Sequence, residues 1–94
     1  MKIESVRHKG LKRLLEEDDA RGLRNDLVPR LRKVLSALIA AEDMDGVYGP
    51  PGWRIHQLSG SREGTWSISI SGNWRLTFNI VNGKIVDLDL EDYH

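Results

Sequence analysis

The chain has no cysteine among its 94 residues, which removes disulfides, thiolate nucleophiles and cysteine-based zinc sites and fits a reducing compartment. Long apolar runs are missing as well. The richest, VLSALIAA, falls far short of the roughly 20 residues that cross a bilayer, and the opening MKIESVRHKG lacks the apolar stretch of a signal peptide. Net charge is absent too, with 14 Lys and Arg against 14 Asp and Glu, so indiscriminate binding to phosphate backbones is not expected. These absences lead to the expectation of a cytoplasmic protein with no membrane association, built as a single domain over residues 1–94.

The charge that is present is unevenly spread. Up to Ala41 there are ten Lys and Arg against six Asp and Glu; from Glu42 onward Arg54, Arg62, Arg75 and Lys84 stand against eight acids. A basic first half and an acidic second half leave room for one basic face that meets nucleic acid.

The segment KIESV alternates and reads as a first strand. KGLKRLLEEDD then carries Leu11, Leu14 and Leu15 at helical spacing, with Gly22 expected to stop the helix and Asp26 to cap the next one. Pro29 falls in that second helix's first turn, where its missing N–H is tolerated. Leu27, Leu31, Val34, Leu35, Leu38 and Ile39 form one apolar stripe, leaving Arg30, Arg32 and Lys33 in water.

From Asp43 to Gly52 the Gly and Pro density of DMDGVYGPPG marks a loop, after which the apolar period changes from about 3.6 to 2. WRIHQL reads as a strand. TWSISIS sets Trp66, Ile68 and Ile70 against Ser67, Ser69 and Ser71, and NWRLTFNI sets Trp74, Leu76, Phe78 and Ile80 against Arg75, Thr77 and Asn79. Gly72-Asn73 and Asn82-Gly83 suit tight hairpin turns. KIVDLDL alternates Val86, Leu88 and Leu90 with Asp87 and Asp89, then runs into EDYH. The fold class that follows is α+β: two N-terminal helices packed on one face of a small, mainly antiparallel sheet.

With the apolar side of each strand on the helices, the other side presents Arg54, His56, Ser67, Ser69, Arg75 and Thr77. Cations and one imidazole on a rigid sheet suit an anionic ligand such as a phosphodiester. Asp92, Tyr93 and His94 emerge from the last strand, either as a solvated tail or as one side of the same surface. Cleaving RNA through its own 2′-hydroxyl needs a base, cations for the phosphate and an acid for the departing 5′-oxygen. Two histidines, arginines and no metal suffice for this, so no cofactor is expected. Asp87, Asp89, Asp92 and His94 are ligand types for a metal, but Asp92 has the other strand parity and no tight ligand motif appears. His8, ahead of the first helix, is expected at the surface or as a cap. Alternation places Trp66 and Trp74 in the core.

Three segments, HKGLKRL, PGWRIHQLSGSREGTWSISISGNWRLTF and LEDYH, carry a resemblance to the HigB-type toxins of bacterial toxin–antitoxin systems, within the RelE/ParE superfamily, over nearly the whole chain. The resemblance implies a RelE-like fold and a ribosome-dependent endoribonuclease, an mRNA interferase cutting in the A site. It also implies a helix-turn-helix antitoxin, HigA-like, that inhibits the toxin and carries it to operator DNA, the toxin itself being monomeric. Carried onto matching positions, it makes His56, Asp92, Tyr93 and His94 the expected catalytic set and Arg75 a phosphate contact; Arg54 and Arg62 are expected as further substrate contacts by their own charge. Asp92 would then polarise a neighbouring imidazole or tyrosine. The chain departs from its relatives at Gln57, where proline is common, and at Ser59, where lysine is frequent. A ParE-like branch that poisons DNA gyrase without cutting RNA, and an inactive homologue that only holds its antitoxin as co-repressor, remain the alternatives.

Overall fold

The computed structural model describes residues 1–92; Tyr93 and His94 lie outside the described residues. Helix α1, Lys9–Glu17, begins where His8 accepts the Leu11 N–H on its imidazole Nδ1 at 3.2 Å, so the histidine is a cap. The helix ends at Asp18, not at Gly22: Asp18 adopts a left-handed φ of 53° and returns its N–H to carbonyls of the last turn. A short acidic side chain tolerates that conformation. Gly22 serves close packing instead: a Cβ there would lie 3.0 Å from the Cα of Gly10, buried inside α1, and a Cβ on Gly10 would lie 2.5 Å from the Gly22 carbonyl oxygen.

Helix α2, Val28–Ala40, is entered through a single 3-10 turn at Asn25–Leu27, with Pro29 in its first turn. Asp26 does not cap it; its carboxylate is taken by the Arg24 guanidinium at 2.9 and 3.1 Å. Leu27, Leu31, Val34, Leu35 and Leu38 are buried, while Ile39, expected in the same stripe, is 51% exposed. It sits where the stripe has rotated past the sheet. Arg32 reaches Asp18 at 2.6 Å and links the two helices on the outside.

Four antiparallel strands follow in the order β1, His56–Gln57; β2, Trp66–Ser71; β3, Trp74–Val81; and β4, Lys84–Asp92. The strand expected over WRIHQL shrinks to two residues. Trp53 closes a 3-10 turn and Arg54 turns left-handed, with φ 48°, so pairing begins only at His56. Both hairpins have the expected two-residue loops; Asn82 and Gly83 both take positive φ, as a primed turn matched to strand twist requires. Phe78, Leu76, Ile68, Ile85 and Leu88 meet Leu11, Leu31 and Leu38 in one core between the layers.

One departure sets the parity of the last strand. Asn79 pairs with Val86 and Thr77 with Asp89, so Asp87 and Leu88 together face the single residue Phe78. This is a bulge, with Asp87 at φ 55°. Because of it Ile85, not Val86, joins Leu88 and Leu90 in the core. The segment expected as a first strand makes only two parallel bridges to the outer edge of β4, Ile3 to Ile85 and Val6 to Leu88, with four backbone hydrogen bonds of 2.7–3.1 Å. Ser5 Oγ accepts the Asp87 N–H at 2.8 Å, so the side chain fills the place of a regular ladder bond at the bulge.

Candidate active site

Register fixes which side chains share the outer face of the sheet. His56 stands beside Ser67, Ser67 beside Thr77 and Thr77 beside Asp89; one step along, Ser69 stands beside Arg75 and Arg75 beside Glu91. All therefore project away from the helices. The polar face is not uniformly bare, however. Ser67 and Thr77 are each 2% exposed, because side chains from β1, β4 and the loop between β1 and β2 stand over them.

An open cleft of about 590 Å³ occupies one end of this face, lined by Arg54, His56, Ser67, Ser69, Trp74 and Arg75 among others. His56 and both flanking arginines thus border one space. Arg54 contributes through its backbone as well: its left-handed turn aims its carbonyl at the imidazole, and His56 Nδ1 lies 2.6 Å from that oxygen. A carbonyl only accepts, so Nδ1 carries the hydrogen. The lone pair of the neutral ring, and with it the basic nitrogen, is consequently at Nε2.

Arg62 is not in that cleft. It rises from the loop between β1 and β2 and forms a forked ion pair with Glu91, Nη1 to Oε1 at 2.8 Å and Nη2 to Oε2 at 2.6 Å. Thr77 donates its hydroxyl hydrogen to the same carboxylate. The Arg62 hydrogen bonds come first among the causes that hold the Glu91 carboxyl at about 2, against an ordinary 4.5, with partial burial opposing them and Thr77 assisting. Arg62 is correspondingly held above its ordinary value by Glu91. The pair borders a second, smaller concavity with Arg7, Asp87 and Asp89.

The expected site residues therefore separate. Arg54, His56 and Arg75 come together; Arg62 is committed to Glu91 across the neighbouring part of the face. Asp92 pairs in register with Trp74 and has the opposite parity to Arg75 and Glu91. Tyr93 and His94, also expected in the site, lie outside the described residues. Among the described residues no group of three or more His, Asp or Glu side chains is arranged to hold a metal ion.

Two features escaped sequence reasoning. Glu91 carries no signal of its own in the sequence, and only its alignment with Arg75 and the reach of Arg62 reveal its use. Trp74 is half-buried: it packs against the core, as expected, but also lines the cleft, with the Arg24 guanidinium 5.9 Å from its ring centroid. Its place next to the Gly72-Asn73 turn, at the end of the strand, was the available signal.

The family model for RelE-like toxins of the type II toxin–antitoxin system HigB matches residues 4–94. Endoribonuclease HigB of Proteus vulgaris is 40% identical over 92 residues, spanning 98% of this chain and 99% of that protein. Among solved structures, YafQ from E. coli strain BL21(DE3) superposes with a TM-score of 0.62 at 15% identity, and a mutant of E. coli YafQ with 0.61 at 16%. Each comparison covers 96% of this chain and 90% of the other. The two-layer fold is theirs as well.

Proposed function

The chain belongs to the HigB-like toxins of type II toxin–antitoxin systems, and on that footing we propose that it is an endoribonuclease cutting mRNA in the ribosomal A site. The observation that carries the reading is the cleft in which Arg54, Arg75 and a tautomer-fixed His56 face one another. Nε2 of neutral His56 takes the proton from the 2′-hydroxyl. The 2′-oxygen attacks phosphorus, the bond to the 5′-oxygen breaks, and a cyclic phosphate and a 5′-hydroxyl result. Arg75 and Arg54 stabilise the charge that grows on the phosphoryl oxygens. Protonation of the leaving oxygen is assigned to the C-terminal group Asp92, Tyr93 and His94, with His94 as the acid and Tyr93 against the neighbouring base or the phosphate.

Membership in a type II system brings an antitoxin partner. A helix-turn-helix antitoxin that neutralises the toxin and carries it to operator DNA completes the proposal. No helix among the described residues is long and apolar enough to cross a membrane, and the proposed substrate places the toxin in the cytoplasm.

The test is to map mRNA 5′ ends on translating ribosomes after induction of the wild type and of His56→Ala. Cuts in register with the A-site codon, lost in the variant, support the reading. Intact messages with inhibited gyrase indicate a ParE-like activity, and intact messages with no growth arrest indicate an antitoxin-binding homologue.

A further inference from the structure

We propose that the Arg62–Glu91 ion pair is a clasp that positions the active site, holding the strand of His56 against the strand that leads into Asp92, Tyr93 and His94. The inference rests on the reading of the site just given. Neither residue touches the substrate in it; both act through their neighbours.

The argument starts from how weakly His56 is anchored. Its strand is two residues long and lies at the edge of the sheet, held by the pairs His56 to Ser67 and Gln57 to Trp66. The loop beyond closes at its base, where the Leu58 N–H donates to the Thr65 carbonyl at 2.7 Å and Gln57 Nε2 to the Gly64 carbonyl at 3.1 Å. Nothing in those bonds ties the loop to the far side of the sheet. Arg62 does: from that loop it passes over β2 and β3 to β4, joining residues 29 apart in sequence. The contact is a two-pronged fork, whose planar geometry fixes direction as well as distance. Thr77, in the strand between, donates to the same carboxylate and gives the clasp a middle anchor.

The position of Glu91 gives the clasp its use. It directly precedes Asp92, so fixing its side chain fixes the point from which the terminal catalytic group departs. It also stands opposite Arg75. An unneutralised carboxylate there would repel an incoming phosphodiester; the Arg62 guanidinium offsets that charge beside the cleft that Arg54 and Arg75 line. The clasp thus accounts for an acidic residue beside a site for an anion. A competing picture makes Glu91 only a resting partner that releases Arg62 to RNA; it predicts opposite behaviour.

The test uses the full chain, ribosomes programmed with an mRNA in the A site, and the variants E91Q and R62Q. E91Q keeps the size of the side chain and an oxygen for Thr77, and thermal melts confirm that each variant is folded. Expected is a fall of tenfold or more in the single-turnover cleavage rate at saturating ribosomes, with the apparent Kd for ribosomes changed less than threefold. The His56 ring resonances of the ribosome-free variants should also shift or broaden, a readout that does not depend on cleavage. Normal cleavage once bound, with tenfold weaker binding of R62Q or tighter binding of E91Q, would overturn the clasp in favour of Arg62 as a phosphate contact. Unchanged rates and resonances in both variants would overturn it outright. Absence of cleavage by the wild type would instead remove the nuclease reading on which the proposal stands.

Discussion

His56 and Arg54 are joined by a bond that decides which nitrogen of the histidine works: Nδ1 is spent on the Arg54 carbonyl, 2.6 Å away, which leaves Nε2 as the basic nitrogen of a side chain that lines the cleft. Replacing His56 by Ala or Gln should lower the single-turnover cleavage rate by about 10²–10⁴, the usual worth of a positioned proton-transfer group. Binding to ribosomes, measured by co-sedimentation, should change only a few-fold. A variant that cut at the wild-type rate would move the base elsewhere.

Arg75 is assigned to phosphate, so its loss should be read in salt dependence. For Arg75→Gln the slope of log affinity for programmed ribosomes against log salt should flatten by about 0.7–0.9, the counterion share of one phosphate contact. A fluorescence titration from low to physiological salt measures it. An unchanged slope would leave Arg75 with a purely local role toward Glu91.

The clasp has a pH signature. Glu91 ionises at about 2 in the folded protein against an ordinary 4.5. A carboxyl whose folded value is depressed adds stability that is complete above its unfolded value and is lost as pH falls through the folded one. The difference in unfolding free energy between wild type and Glu91→Gln should therefore be flat at neutral pH and close as pH drops from 4.5 towards about 2. Urea unfolding across that range checks it; a gap that widens on acidification would contradict the assignment.

Gly10→Ala sets helix propensity against packing. Alanine gains about 1 kcal/mol over glycine inside a helix, yet its Cβ would lie 2.5 Å from the backbone oxygen of Gly22. Backbone cannot move aside as a flexible side chain does. The expected result is a net loss of about 1–3 kcal/mol, as for other overpacked sites, measured by chemical denaturation. Increased stability would mean that the α1–Gly22 contact relaxes freely.

Much of the architecture was legible because hydrophobic period is a strong signal. The stripe from Leu27 to Leu38, the alternation in β2 and β3 and both hairpin turns follow from it directly. What was illegible depended on one residue each. Asp18 in a left-handed turn ended α1 before Gly22, and Arg54 in another shortened β1. The bulge at Asp87 exchanged Val86 for Ile85 in the core, because a period of 2 cannot register an inserted residue. In the site, the shared face of His56, Ser69 and Arg75 was readable from parity alone. The Arg62–Glu91 contact was not, since a loop arginine carries no periodicity and its partner lies two strands away. The resemblance to HigB-type toxins supplied the roles of Asp92, Tyr93 and His94, which no pattern in the chain assigns.

The short β1 and the segment over β4 have a consequence for self-association. A sheet offers its unpaired edges as templates for another chain. Here one edge strand is two residues long and the other, nine residues long, is partly overlaid by the backbone of residues 2–7. Peeling that segment away would expose Ile85 to Leu90 as an unpaired edge of the kind that recruits another chain.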